Sequence, residues 1–277
     1  QSFNPLLKTL FNKKKAIAGI VGEPRSEKSK SCKAFQHGPN KCKSCGHGGS
    51  NSCIFYLTTN QAPIVEVAAK IFSWMSKEEQ TSLNMGRERA NTTENLKKIK
   101  EFQDETSFLL SMFNDTNSHQ NVVQLMYQPF IIHPIAGFFI DYAKHGNLES
   151  FLGIKSMPVT NRKVLIPSDI LNILQQIALG MIFMNNNYWV HRDLSLRNIL
   201  VFEEENGTLR FKISDFGLSF NLKDPLDNLN LKIPLLETAP ECLNRDFIPT
   251  IKCDVWSFGL IFWSLVSKTT HYDFFEE

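Results

Sequence analysis

No apolar run in this 277-residue chain approaches the roughly 20 residues needed to cross a bilayer; the longest are broken by His133 and Pro134, or by Ser257 and Gly259. No internal repeat of fixed period is present, so the chain does not read as a repeat array. It opens on Gln1 without the charged and apolar regions of a secretory leader, and reads as a piece of something longer rather than a secreted precursor. Cysteines are few and unevenly placed. Four of the six lie within Cys32 to Cys53, with Cys242 and Cys253 in what reads as a helical core region. That is not an even disulfide framework, and it points to a reducing, cytosolic compartment. Charge is nearly balanced at +2, but residues 1–45 hold ten Lys/Arg against two Glu, which leaves residues 46–277 at −6. A basic leader containing Lys13, Lys14 and Lys15 reads as a solvated, flexible segment ahead of lipid or nucleic-acid binding, and no nucleic-acid partner is expected. With 42% hydrophobic and 21% charged residues, the remainder is globular, with one large core or two modest ones.

Residues 1–45 are polar, basic and punctuated by Gly and Pro. From about residue 53 the pattern changes. Residues 54–58, 65–72, 122–128 and 136–141 read as strands. Residues 94–113 read as a helix with Leu96, Ile99, Phe102, Leu109 and Phe113 on one side. Beyond Leu148 the reading is mainly helical. Residues 169–187 follow an N-cap signal at Ser168, and 255–266 are apolar nearly all round, the mark of a buried helix. Between them, 199–202 and 209–213 form a hairpin through Asn206-Gly207, a pair that tolerates positive φ. The expected fold class is α+β, a small sheet-rich lobe over 46–142 followed by a larger helical lobe over 143–277.

Residues 191–198 read His-Arg-Asp-Leu-Ser-Leu-Arg-Asn, and Asp215-Phe216-Gly217 begins 17 residues after Asn198. The first stretch resembles the catalytic loop of the eukaryotic protein kinases and the second their magnesium-binding motif. Phosphoryl transfer asks a protein for positioning and charge compensation, which explains the residue types. The resemblance implies that Asp193 orients the hydroxyl of the incoming substrate and that Asn198 and Asp215 hold Mg2+ on the phosphates of ATP.

Further matches follow in chain order. Glu66-Val67-Ala68-Ala69-Lys70 resembles the strand whose lysine holds the α- and β-phosphates, with Glu105 as its expected ion-pair partner, Glu101 as second candidate, and residues 74–93 as an insertion. Phe139-Ile140-Asp141-Tyr142-Ala143 through Gly146-Asn147-Leu148 resembles the hinge of receptor tyrosine kinases. That implies adenine contacts from the backbone of Asp141 and Ala143, with Ile140 as gatekeeper. Ala239-Pro240-Glu241 and Asp254-Val255-Trp256-Ser257-Phe258-Gly259 match two further motifs of the helical lobe, with Trp256 and Phe258 as core packing. Leu109, Leu125, His191 and Phe216 are expected to stack as an apolar spine.

Two features point to the tyrosine branch. Ser195 stands where serine/threonine kinases carry Lys, and a guanidinium appears instead at Arg197. Lys232 to Leu236 resembles the segment against which tyrosine kinases rest the substrate ring. The resemblance therefore implies transfer of the γ-phosphate of Mg-ATP to protein tyrosine hydroxyls in signalling. A pseudokinase acting as a binding module, or a serine/threonine kinase, is the alternative. Upstream receptor or adaptor domains are implied partners, and the expected location is cytoplasmic, including the inner part of a plasma-membrane receptor.

Several positions depart from the pattern. The phosphate loop is reduced to Gly46-His47-Gly48-Gly49, and the same region offers a zinc set in Cys42, Cys45, Cys32, Cys53, His37 and His47. Glu237 replaces the family's tryptophan, an acid for an indole, which is expected to weaken packing under the substrate. Residues 215–241 contain no tyrosine, so activation is constitutive, assisted by a partner, or absent. The sequence stops 36 residues after Glu241, short of the arginine that pairs with that glutamate in the family, and an unpaired buried carboxylate is expensive.

Overall fold

A computed structural model describes residues 52–58, 66–73, 93–113, 118–132, 135–154, 157, 159–223, 234–243 and 249–269. The basic leader, the Gly46 to Gly49 loop, the candidate zinc ligands Cys32 to Cys45 and the expected insertion lie outside them, apart from Thr93. The described residues divide into two compact units. One runs as far as Thr106 and resumes over Leu125–Tyr142; the other takes Ser107–Gln124 and the described residues from Ala143 onward.

The first unit is built on an antiparallel sheet of four strands in the order β1-β2-β4-β3: β1 Ser52–Thr58, β2 Glu66–Ser73, β3 Leu125–Ile132 and β4 Ile135–Asp141. Central strand β2 pairs on both sides, Lys70 opposite Phe138 of β4 and Ile54 of β1. Its residues Val67 to Phe72 are consecutively buried, as a strand covered on both faces requires. One cover is α1, Thr93–Ser111, whose Phe102 meets Phe72 edge-on at 5.4 Å. The buried side of α1 is Phe102, Glu105, Thr106, Phe108, Leu109 and Met112, whereas Leu96 is 58% exposed, contrary to the face read from the sequence. The buried acid at Glu105 lies within this stripe, so a period in apolar residues does not reveal it.

The strand read over 122–128 forms three residues later. Asn121 and Val122 belong to the second unit instead: Ile213 N–H donates to Asn121 O and Val123 N–H to Ile213 O, both at 2.9 Å. The Asn121 side chain is fixed by Gln176 Oε1 and Phe211 O, also at 2.9 Å. Strand β3 then passes through Pro129, which donates no N–H, at a break in register between Tyr127 and Phe130.

In the second unit, Asn147 caps the short α2 (Leu148–Leu152), its side chain accepting from Ser150 N–H. Helix α3 spans Pro167–Asn186. Its cap is Ile166, not Ser168: Pro167 fixes the first turn and the Asp169 carboxylate accepts from Ile166 N–H at 3.2 Å. Short strand β5 (Trp189–Val190) pairs with β8 (Phe220–Asn221). Strands β6 (Ile199–Glu203) and β7 (Leu209–Ile213) form the expected hairpin, with Gly207 at φ 80°. Gly180 of α3 lies against it; a Cβ there would meet Asn121 O at 2.8 Å and Ile213 Cδ1 at 2.9 Å.

Helix α4, Ile251–Ser267, is not buried all round among the described residues. It buries Cys253, Asp254, Ser257, Ile261, Ser264 and Leu265, while Trp256 is 45% exposed. Four of those six are small or polar, so hydropathy does not report which face packs inward. Cys242 and Cys253 form a disulfide with Cα atoms 6.6 Å apart, which runs against the reducing compartment read from the uneven cysteine spacing.

Candidate active site

Within the first unit, Lys70 of β2 donates from Nζ to Glu105 Oε1 of α1 at 2.5 Å, both side chains being buried. Of the two acids considered on α1, Glu105 is the partner the structure supplies, and Glu101 is half-buried. Ile140 is buried and Asp141 half-buried at the end of β4, opposite Ala68 and Val67. Ala143, the third hinge residue, is fully buried in the second unit.

The second unit holds the loop from His191 to Asn198. Asp254 of α4 is buried and accepts from two consecutive backbone N–H groups, His191 at 2.7 Å and Arg192 at 2.8 Å. Burial pushes its carboxyl above the usual range, against the opposing pull of His191 and Arg192. This clamp accommodates Arg192 at φ 67°, in the left-handed region. His191 Nε2 donates to Ser214 O at 3.0 Å and its Nδ1 accepts from Asp193 N–H at 3.2 Å, which assigns the ring proton to Nε2.

Asp193 is held through both carboxylate oxygens. Oδ1 accepts from Arg197 Nη2 at 2.6 Å and Oδ2 from Asn198 Nδ2 at 2.8 Å. Burial, assisted by the charge of Asp215, raises its pKa; Arg197, His191 and the Asn198 hydrogen bond oppose the rise. Asp215 is exposed and stands at φ 64°, a conformation that Asp tolerates better than most residues. Ser214 ties it to the loop, its N–H and Oγ both donating to Asn198 O, at 2.8 and 2.9 Å. With Asn198 Nδ2 committed to Asp193, its Oδ1 is the atom suited to a cation. An amide oxygen with a carboxylate forms a hard donor pair that fits magnesium, which takes few protein ligands and completes its shell with phosphate and water.

Phe216 packs on His191 at 5.6 Å and on Phe108 at 4.1 Å, and Phe108 continues edge-on to Trp189 at 5.4 Å. The aromatic neighbour from α1 is thus Phe108, which the sequence does not single out; Leu109, the residue expected in the spine, is buried as well.

Two departures resolve differently from expectation. Glu241 is exposed, so it carries no burial cost. Glu237 is only 2% exposed and accepts at Oε1 from Arg197 Nη1 at 2.5 Å. The acid is therefore the far end of an ion-paired row, Asp193–Arg197–Glu237, instead of a weakened apolar contact. Ser195 is buried, lines a cavity of about 20 Å³ with Arg197, Glu237 and Ser257, and its Oγ has no hydrogen-bond partner among the described residues.

One unit carries a buried Lys–Glu pair on a β-sheet and the other an Asp-Asn loop clamped to a helix, the two features expected of a protein kinase. A family model described as protein tyrosine and serine/threonine kinase matches residues 68–274. The chain belongs to that family and has its fold, a β-rich N-lobe and a mainly helical C-lobe. Human ephrin type-A receptor 1 is 38% identical over 130 residues, 46% of this chain and 12% of that protein. Mouse megakaryocyte-associated tyrosine-protein kinase is 34% identical over 166 residues, 60% of this chain and 29% of that protein. The fibroblast growth factor receptor of Strongylocentrotus purpuratus is 30% identical over 188 residues, 61% and 18% respectively. The chain thus spans less than a third of the length of each of these relatives. Among the described residues no helix is long and apolar enough to cross a membrane.

Proposed function

We propose that this chain is a protein tyrosine kinase that transfers the γ-phosphate of Mg-ATP to tyrosine hydroxyls of proteins. The observation that carries the reading is the grip on Asp193, whose two carboxylate oxygens are fixed by Arg197 and Asn198. A carboxylate so fixed can take one orientation toward a substrate hydroxyl, and effective positioning is the larger part of what this reaction needs.

In this reading Lys70, set by Glu105, meets the α- and β-phosphates of ATP. The backbone of Asp141 and Ala143 meets adenine beside Ile140, and Gly46 and Gly48 belong to the phosphate loop. Asn198 and Asp215 hold magnesium, which supplies charge neutralisation on the phosphates when bound. Asp193 orients the hydroxyl and receives its proton, and Arg197 lends its positive charge beside the transferred group. The tyrosine assignment rests on Arg197 with Ser195, and on relatives described as tyrosine kinases or receptors. The reading extends to a cytosolic setting, with residues 46–142 and 143–277 as the lobes and receptor or adaptor segments as partners.

The test is transfer of label from γ-labelled ATP to a tyrosine peptide by the full-length natural chain. Transfer abolished by Asp193→Asn supports the reading. Nucleotide binding without transfer would make the chain a binding module instead.

A further inference from the structure

Glu237 is buried in the helical unit and fixed at both ends of its backbone. Its N–H donates to Pro234 O at 3.1 Å, and its carbonyl accepts from Ser257 Oγ of α4 at 2.9 Å. Its side chain therefore presents a carboxylate at a set place, and that carboxylate accepts from Arg197 Nη1 at 2.5 Å. The other terminal nitrogen of the same guanidinium, Nη2, donates to Asp193 Oδ1 at 2.6 Å. A guanidinium on a flexible stem carries considerable rotamer freedom, and it loses that freedom when both terminal nitrogens are engaged. Arg197 thus links Asp193 to Glu237.

We infer that Glu237 is a positioning residue for the transfer reaction, holding Arg197 against Asp193 so that the end of the 215–241 segment fixes the orientation of the catalytic carboxylate. The inference rests on the kinase reading above. It adds a resident anion at a position where the family has an indole, and it requires no covalent modification of a segment that contains no tyrosine.

Two measurements on the full-length natural chain test this. In steady-state phosphorylation of a tyrosine peptide, Glu237→Gln, which keeps the shape and removes the charge, lowers kcat by about tenfold. KM for ATP stays within about twofold, and Glu237→Asp recovers most of the loss. Unchanged kcat in Glu237→Gln, or a loss shared equally by kcat and nucleotide affinity and not recovered by Asp, overturns the inference. The second measurement needs no activity, so it separates failure of this inference from failure of the kinase reading. A double-mutant cycle of urea unfolding with Glu237→Gln and Asp193→Asn is run with Arg197 present and again in an Arg197→Met background. Coupling through the guanidinium makes the unfolding constants non-additive by about threefold or more when Arg197 is present, and additive without it. Additivity in both backgrounds, or equal coupling in both, contradicts the clamp whether or not the protein transfers phosphate. Should Glu237→Gln fail to fold, Glu237→Met, which removes the carboxylate and keeps a side chain of similar length, takes its place in the cycle: coupling that depends on Arg197 supports the clamp, and coupling that does not overturns it.

Discussion

The side-chain amide nitrogen of Asn198 donates twice to Asp193, to its backbone oxygen at 2.7 Å and to its carboxylate Oδ2 at 2.8 Å. These two hydrogen bonds set the carboxylate, and in the proposed reaction the amide oxygen of Asn198 is the ligand offered to the cation. Asn198→Ala is expected to slow phosphoryl transfer on the order of 10²-fold, as for loss of a preorganised electrostatic contact. It should also raise the magnesium concentration giving half-maximal rate. A magnesium titration of initial rates checks both; a fall in rate with an unmoved magnesium midpoint would leave Asn198 with the positioning task alone.

The buried Lys70–Glu105 pair separates stability from nucleotide binding. Lys70→Met removes the cation that Glu105 meets in this buried pair, and the expected cost is about 3–5 kcal/mol. Adding Glu105→Gln should recover most of that cost in a thermal melt. Mg-ATP is expected to raise Tm in the wild type and in neither variant, because a ligand that binds the native state stabilises it in proportion to its affinity, and both variants lack Lys70.

Phe108 is fully buried between Phe216 and Trp189. Phe108→Ala is expected to destabilise the helical unit by about 3–5 kcal/mol, read from denaturant midpoints. Leu110→Ala, two residues on at an exposed position of the same helix, should stay within about 0.5 kcal/mol of the wild type.

Much of the fold was legible because strands β2 and β4 and the β6–β7 hairpin carry local signals: apolar runs with clear breaks, and an Asn-Gly turn. The loop from His191 to Asn198 was legible because phosphoryl transfer restricts residue types at fixed spacing. What escaped was set by distant partners. Asn121 and Val122 read as the start of a strand, yet Gln176, Phe211 and Ile213 claim them for the other unit. Helix α4 reads as buried throughout because it is apolar, but its inward face is chosen by hydrogen bonds that Asp254 accepts and Ser257 donates. Glu237 looked like a defect since nothing within a few residues reveals Arg197, 40 positions earlier. No periodicity or local motif encodes such a pairing.

Asp254 offers a pH signature. Its carboxyl is pushed upward in the folded chain, so the native state holds the proton more tightly than the unfolded one, where the ordinary value is about 3.9. Ionising it within the fold is a cost that is absent at acid pH and grows as pH rises from that ordinary value through the raised one. Asp254→Asn does not titrate and leaves one of the His191 and Arg192 N–H groups without an acceptor, which costs about 1–3 kcal/mol. The stability advantage of the wild type over Asp254→Asn should therefore shrink as pH rises from about 4 toward neutrality. Paired urea melts across that range check the sign; an advantage that grows with pH would contradict a raised Asp254.

In the proposed reaction Asp193, fixed by Arg197 and Asn198 and with Ser195 buried beside it, serves tyrosine hydroxyls. The most direct measurement is the initial rate of phosphate transfer from Mg-ATP to two peptides identical except for Tyr or Ser at one position, using the full-length natural chain and its Asp193→Asn variant. The account predicts transfer to the tyrosine peptide at a rate at least about tenfold above the serine peptide, with the variant reduced to background while its Mg-ATP-induced rise in Tm is retained. Phosphoserine as the main product, or phosphotyrosine no higher than in Asp193→Asn despite a clear Mg-ATP-induced rise in Tm, would contradict it.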